Sequence, residues 1–203
     1  AIRQYDAIPI EPELLSLVHD PEYIEYIFEN SPSEGFFDLD DDALMNPDTL
    51  TSALLAAGAA VQAVDLVMRK EQKVVFCSTR PPGHHATKNR AMGFCFFNNI
   101  AIAAAYARQH YHLRKVAILD FDVHHGNGTQ DIFAGQPEVL FCSTFQHPFY
   151  PFSGTEETSS NIINTPLSST AGSEEFRRAV TQTWLPALET FEPEMLFISA
   201  GFD

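Results

Sequence analysis

The chain is expected to be an α/β domain on an open, mainly parallel sheet with helices on both faces, and three observations predict this. Short apolar β-type runs recur at Val74-Val75-Phe76-Cys77, Val116-Ala117-Ile118-Leu119, Val139-Leu140-Phe141-Cys142 and Met195-Leu196-Phe197-Ile198. They do not alternate strictly, as befits strands covered on both faces. Ala- and Leu-rich helical stretches separate several of them. Polar clusters follow all four, where an open α/β sheet binds ligands outside the carboxyl ends of its strands.

Taken in order, a helix is expected over 11–28, interrupted near Pro21 because proline cannot donate within a helix. The acidic run Asp38-Leu39-Asp40-Asp41-Asp42 reads as an exposed loop, or as an attractor for a basic peptide or polyamine near a pocket mouth. A helix over 49–69 is placed to be capped by Asp48 or Thr49, and another covers 98–109. A last helix over 172–191 carries Glu174 and Glu175 early, where a helix N-terminus favours anions. Residues 148–170 are rich in Ser, Thr, Pro and Gly and read as a long surface loop, whose aromatic start Phe149-Tyr150-Pro151-Phe152 suits a pocket wall. There is no internal repeat, and 203 residues suffice for one domain, 1–203.

The composition is that of an ordinary globular chain, with 45% hydrophobic and 19% charged residues. No apolar run is expected to span a bilayer and no signal-like segment opens the chain, so cytoplasm is the expected compartment. Cys77, Cys95 and Cys142 are odd in number and widely spaced, the pattern of reduced core thiols. A formal charge of −15 disfavours direct binding to nucleic acid or anionic membranes and favours cationic partners.

The most informative string is Leu119-Asp120-Phe121-Asp122-Val123-His124-His125-Gly126-Asn127-Gly128-Thr129. With a strand's period of two, Asp120, Asp122 and His124 share one face. Two carboxylates and an imidazole there call for a cation, and an oxygen-and-nitrogen set without thiolates suits zinc, iron, cobalt or manganese in an open, catalytic site. Asp and His also end strands in turns that bond local backbone, and His125 alone reads equally as a turn residue. Tandem His84-His85 after Pro81-Pro82-Gly83 could divide acid and base work beside a metal, or could be turn residues or ligands themselves.

Four motifs in order, RPPGHHA, GFCFFNN, DFDVHHGNG and SAGFD, resemble the histone deacetylase family, in particular its class II-like bacterial amidohydrolases, and the resemblance runs from about Asp48 to Asp203. It implies the arginase/deacetylase-like fold and a zinc-dependent hydrolysis that removes acetyl or other acyl groups from N-acetyl-lysine side chains or related amines. Asp122, His124 and Asp203 match the zinc ligands. His85 matches the general base, His84 its electrostatic partner, and Asp120 the carboxylate that bonds one of those histidines and helps enclose potassium, with Ser143 as a further contact to that cation. Gly93 and Phe94 match one wall of the acyl-lysine tunnel, with Phe149 or Tyr150 opposite.

The resemblance also implies that the chain is part of a longer catalytic domain, weak or inactive alone, because the family's N-terminal strand and the Gly-Gly-Tyr (or His) element that supplies an oxyanion donor are not seen. Asn127 departs from the Asp of class I members. An arginase-like ureohydrolase would instead show Asp-x-His-x-Asp and two manganese ions. Acetylpolyamine hydrolysis and a non-catalytic acyl-lysine-binding role are the remaining alternatives.

Overall fold

The computed structural model describes residues 2–201, in two compact units, Ala1–Tyr111 and His112–Asp203. In the first, a 3-10 helix (Pro12–Leu17) leads into α1 (Pro21–Glu29), so the break expected at Pro21 separates two helices. Next come a small antiparallel hairpin, β1 (Phe37–Asp40) and β2 (Ala43–Met45), then α2 (Thr49–Met68) and α3 (Asn99–Tyr111). The second unit runs β3 (Val116–Asp120), α4 (Asn127–Phe133), β4 (Val139–Gln146), β5 (Ile162–Leu167), α5 (Ser173–Ala179), a π-helical turn (Val180–Trp184), α6 (Leu185–Phe191) and β6 (Met195–Ser199).

The sheet is four-stranded in the order β5-β4-β3-β6, every neighbour parallel. Its register aligns residues by chemistry. Leu119, Cys142, Ile163 and Ile198 lie side by side, and one step toward the carboxyl edge so do Asp120, Ser143, Asn164 and Ser199. A single residue step thus carries all four strands from an apolar row to a polar one. On one face Ala117, Leu140 and Cys142 pack on Trp184, with Leu119, Phe121, Ile163 and Leu188 around them. The helix that supplies Trp184 is the one expected over 172–191, with a π turn at its centre, and Glu175 accepts the Gly172 N–H at its start (2.9 Å).

In the first unit α2 packs on α3, and both helices bury small side chains, Ala53, Ala56 and Ala57 in α2 and Ala103, Ala104 and Ala107 in α3, while Gly58 lets the backbone of Ile8 and Ile10 pass close to α2. Asp65 accepts from Tyr106 (3.0 Å) and Tyr111 (2.8 Å). Contrary to expectation, the 20-residue α2 is long and apolar enough to cross a membrane by length and composition, with a mean hydropathy of 1.6.

Several expectations are corrected. Val74-Val75-Phe76-Cys77 forms no strand, and Val74 and Phe76 are 84% and 72% exposed. β-type composition describes a side-chain surface, and a ladder needs a partner. The loop expected over 148–170 contains β5, an edge strand where Pro166 costs no ladder bond on its open side. The acidic run 38–42 is the β1–β2 hairpin, in which Arg90 Nε donates to Asp40 at 2.6 Å and holds that carboxyl below its usual range. Asp48 makes no side-chain cap to α2. Instead Asn46 accepts the Asp48 N–H (2.9 Å) and the Thr49 hydroxyl (3.0 Å). Cys95 and Cys142 are buried thiols as expected, and burial pushes Cys142 up to about 12, but Cys77 is exposed.

Trp184 is buried with no partner for its indole N–H. Trp184→Ala is therefore expected to cost about 3–5 kcal/mol in a denaturant titration, whereas Trp184→Phe, which keeps the ring and removes the orphaned donor, should cost less than about 1.5 kcal/mol.

Candidate active site

β3 ends at Asp120, so the period-two argument stops there, and a different device carries the next residues. Asp120 Oδ1 accepts the Asp122 N–H at 3.1 Å, and Asp122 Oδ1 accepts the His124 N–H at 2.8 Å. Two successive turns of this kind, each closed by a carboxylate on the backbone two residues on, fold 120–124 into a compact arc. The local bonding weighed against a metal site is real, and it is what brings Asp122 to His124. Their side chains converge, with Asp122 Oδ1 3.0 Å from His124 Nδ1. Gly201 completes the cradle, since a Cβ there would overlap the Asp122 carboxylate.

Over this pair lies the aromatic turn expected to line a pocket. Phe149 stacks on the His124 ring at 5.1 Å and 11°, and Tyr150 meets it edge-on at 5.9 Å and 81°. Behind Asp122 a cavity of about 480 Å³ opens at the carboxyl ends of the strands, lined by Phe121, Thr144, Gln146, Ser168 and Phe176 among others. Asp120 is fully buried beside Ser143 in the register. The Ser143 hydroxyl is buried without a hydrogen-bond partner.

In the first unit His84 and His85 are buried, with ring centroids 4.0 Å apart. Their loop is held from α3 and the segment before it. Asn98 Nδ2 donates to Ala86 O (3.1 Å), Asn99 Nδ2 to Pro81 O (3.1 Å), and Asn98 Oδ1 caps α3 by accepting the Ala101 N–H (3.1 Å). Behind these, His19 Nε2 accepts the Asn98 N–H at 2.9 Å and Tyr23 donates to Phe96 O at 2.6 Å. Gly93 and Phe94 form a tight reversal between Met92 and Cys95, both at positive φ (56° and 61°). A Cβ at Gly93 would overlap the His85 ring, so only glycine fits. Phe94, in a conformation that costs a non-glycine residue of order 1 kcal/mol, is 68% exposed. The Asp42 side chain and carbonyl accept the Gly93 (2.8 Å) and Phe94 (3.2 Å) N–H groups, a role that the acidic run gave no sign of.

Asp203 lies outside the described residues. Among the described ones no group of three or more His, Cys, Asp or Glu side chains comes together as a metal cage, and Asp122 with His124 is a pair. That pair fits zinc. Both are of the oxygen and nitrogen types that zinc takes, and here Asp122 Oδ1 and His124 Nδ1 are hydrogen-bonded to each other at 3.0 Å. The orphaned Ser143 hydroxyl beside Asp120 fits a second, oxygen-bound cation.

The fold and this edge define an α/β domain whose sheet brings a carboxylate and an imidazole together at its carboxyl edge, under two aromatic rings. Residues 2–203 match the histone deacetylase domain, and the chain belongs to the histone deacetylase family. It is 38% identical to a histone deacetylase-like amidohydrolase of Pseudomonas aeruginosa over 97% of its length, spanning 53% of that protein. It is also 38% identical to the polyamine deacetylase HDAC10 of Rattus norvegicus, covering 94% of this chain and 35% of that one. In three dimensions it resembles the HDA15 HD domain with a TM-score of 0.92 at 35% identity, over 98% of this chain and 60% of that one.

Burial lowers the His19 pKa to about 4. The unfolded chain takes up a proton near pH 6.5 that the folded one refuses, so stability should be full above pH 6.5. It should fall by up to about 1.4 kcal/mol per unit between 6.5 and 4, and His19→Asn should flatten that slope in urea titrations at several pH values. Gly93→Ala should cost about 2 kcal/mol or more by the same titration, through strain at positive φ and collision with His85.

Proposed function

We propose that this chain carries the catalytic core of a zinc-dependent deacetylase acting on N-acetyl-lysine side chains. The observation that carries the reading is the convergence of Asp122 Oδ1 and His124 Nδ1 under Phe149 and Tyr150, in a chain of the histone deacetylase family. Asp122 and His124 would hold the zinc, with Asp203 as third ligand. Bound there, zinc supplies Lewis-acid polarisation of an amide carbonyl and acidifies water.

The remaining chemistry falls to the chain. Two buried imidazoles with centroids 4.0 Å apart would repel each other if both were charged. In this reading His85 is the neutral member and takes a proton from the attacking water, while His84 provides the charge beside it. The proton then goes to the leaving amine. In this reading Phe149 and Tyr150 of the second unit, and Gly93 and Phe94 of the first, are the residues that would cover the apolar four-carbon stem of an acyl-lysine, which gains from burial. Asp120 and Ser143 would hold potassium and so balance the buried carboxylate at the end of β3.

An acetylated polyamine is a second substrate class, favoured by the formal charge of −15 and by likeness to a polyamine deacetylase. Turnover of an acetyl-lysine peptide against acetylspermidine separates the two. His85→Ala should lower kcat by about 10²–10⁴ with zinc content unchanged, and Asp122→Ala should remove the zinc. Full activity in the first variant, or full zinc in the second, would overturn the assignment.

A further inference from the structure

His125 has no part in the reaction just described, yet it is buried and both its nitrogens are engaged. Gln130 Oε1 accepts from Asn164 Nδ2 at 2.7 Å and lies 3.0 Å from His125 Nε2. An amide oxygen only accepts, so His125 donates to it from Nε2 and turns Nδ1 the other way. That nitrogen shares a hydrogen bond with the Ser153 hydroxyl at 2.9 Å. The ring is held flat by its neighbours. Phe145 lies against it with centroids 4.6 Å apart, and at Gly154, whose φ is +92°, a Cβ would come within 2.9 Å of it.

Ser153 ends the turn that carries Phe149 and Tyr150. The turn closes on itself through Phe152 N–H to Phe149 O (2.7 Å), and its entrance is tied to the sheet through His147 N–H to Leu167 O (2.8 Å). Its exit is tied through Ser153 to His125, the residue that follows His124 in the chain. The stacking of Phe149 on His124 therefore depends on an anchor at each end, and one of them is a single side-chain hydrogen bond.

We propose that Ser153 and His125 form a latch that sets the distance between the aromatic wall and the metal-ligand arc, making Ser153 a positioning residue for the acyl-amine stem. This rests on Phe149 and Tyr150 being a substrate wall. The latch acts on how tightly the stem is held and leaves the reacting groups untouched, so it belongs to KM and not to kcat.

The test compares the wild-type protein with Ser153→Ala and Ser153→Thr, by steady-state kinetics on an acetyl-lysine peptide and by amide hydrogen exchange over residues 149–154. Ser153→Ala should raise KM about three- to tenfold, the equivalent of one neutral hydrogen bond, with kcat within twofold and zinc content unchanged. Exchange over 149–154 should quicken. Ser153→Thr, which keeps the hydroxyl, should restore both. An unchanged KM in Ser153→Ala, or a fall in kcat instead, overturns the latch. Should the wild type hydrolyse no acetyl-amine, the deacetylase reading is what fails, and exchange decides the latch alone: unchanged protection over 149–154 overturns it.

Discussion

A carboxylate buried at the end of an apolar strand is the constraint around which the second unit is arranged. Asp120 is wholly removed from solvent, and an ionised group in that position is costly unless charge and hydrogen bonds are brought to it. The parallel register answers by placing Ser143 and Ser199 beside it, and the Asp122 N–H bonds it directly. That bond begins the arc of turns that carries Asp122 and His124. The apolar row one residue below, packed on Trp184, fixes the height at which the polar row stands. Packing and site chemistry are thus linked through the register of three parallel ladders. A shift of one residue would exchange the two rows.

The first unit solves a different problem, the precise presentation of two buried imidazoles from a loop. Loops usually carry their polar backbone groups to water. Here Asn98 and Asn99 take the carbonyls of Ala86 and Pro81, Asn98 also caps α3, and His19 secures Asn98 from behind. The His pair is therefore fastened to a helix end, which is stiffer than the loop that contains it. Gly93 lets the chain pass against the His85 ring, and the strained reversal there turns Phe94 outward. Strain of this sort persists only where neighbours hold it, and the Asp42 hairpin is that support.

Much of this was legible in the sequence because it is local. Apolar runs at 116–119, 139–142 and 195–198 are strands, the Ala-rich stretches are helices, and clusters after the strands lie at the sheet's carboxyl edge. The rest needed partners. Nothing within Val74-Val75-Phe76-Cys77 says that no strand lies beside it, and nothing in Ile162-Ile163-Asn164-Thr165-Pro166-Leu167 says that β4 does. Asp120, Asp122 and His124 were placed on one face by the wrong periodicity. Asx turns, not a strand, gather Asp122 and His124. Asp42, His19 and Ser153 were invisible for the same reason, since each acts on residues 28 to 79 positions away.

The central claim is that Asp122 and His124 are two ligands of one zinc ion in a site of oxygen and nitrogen donors. X-ray absorption at the zinc edge of the metal-loaded protein tests it most directly, together with the number of metal ions bound. The account predicts one zinc per chain, a first shell of oxygen and nitrogen near 2.0–2.1 Å, and the outer-shell signature of a single imidazole. Sulfur at about 2.3 Å, which would bring in the thiols of Cys77, Cys95 or Cys142, or a second metal close by, would contradict it.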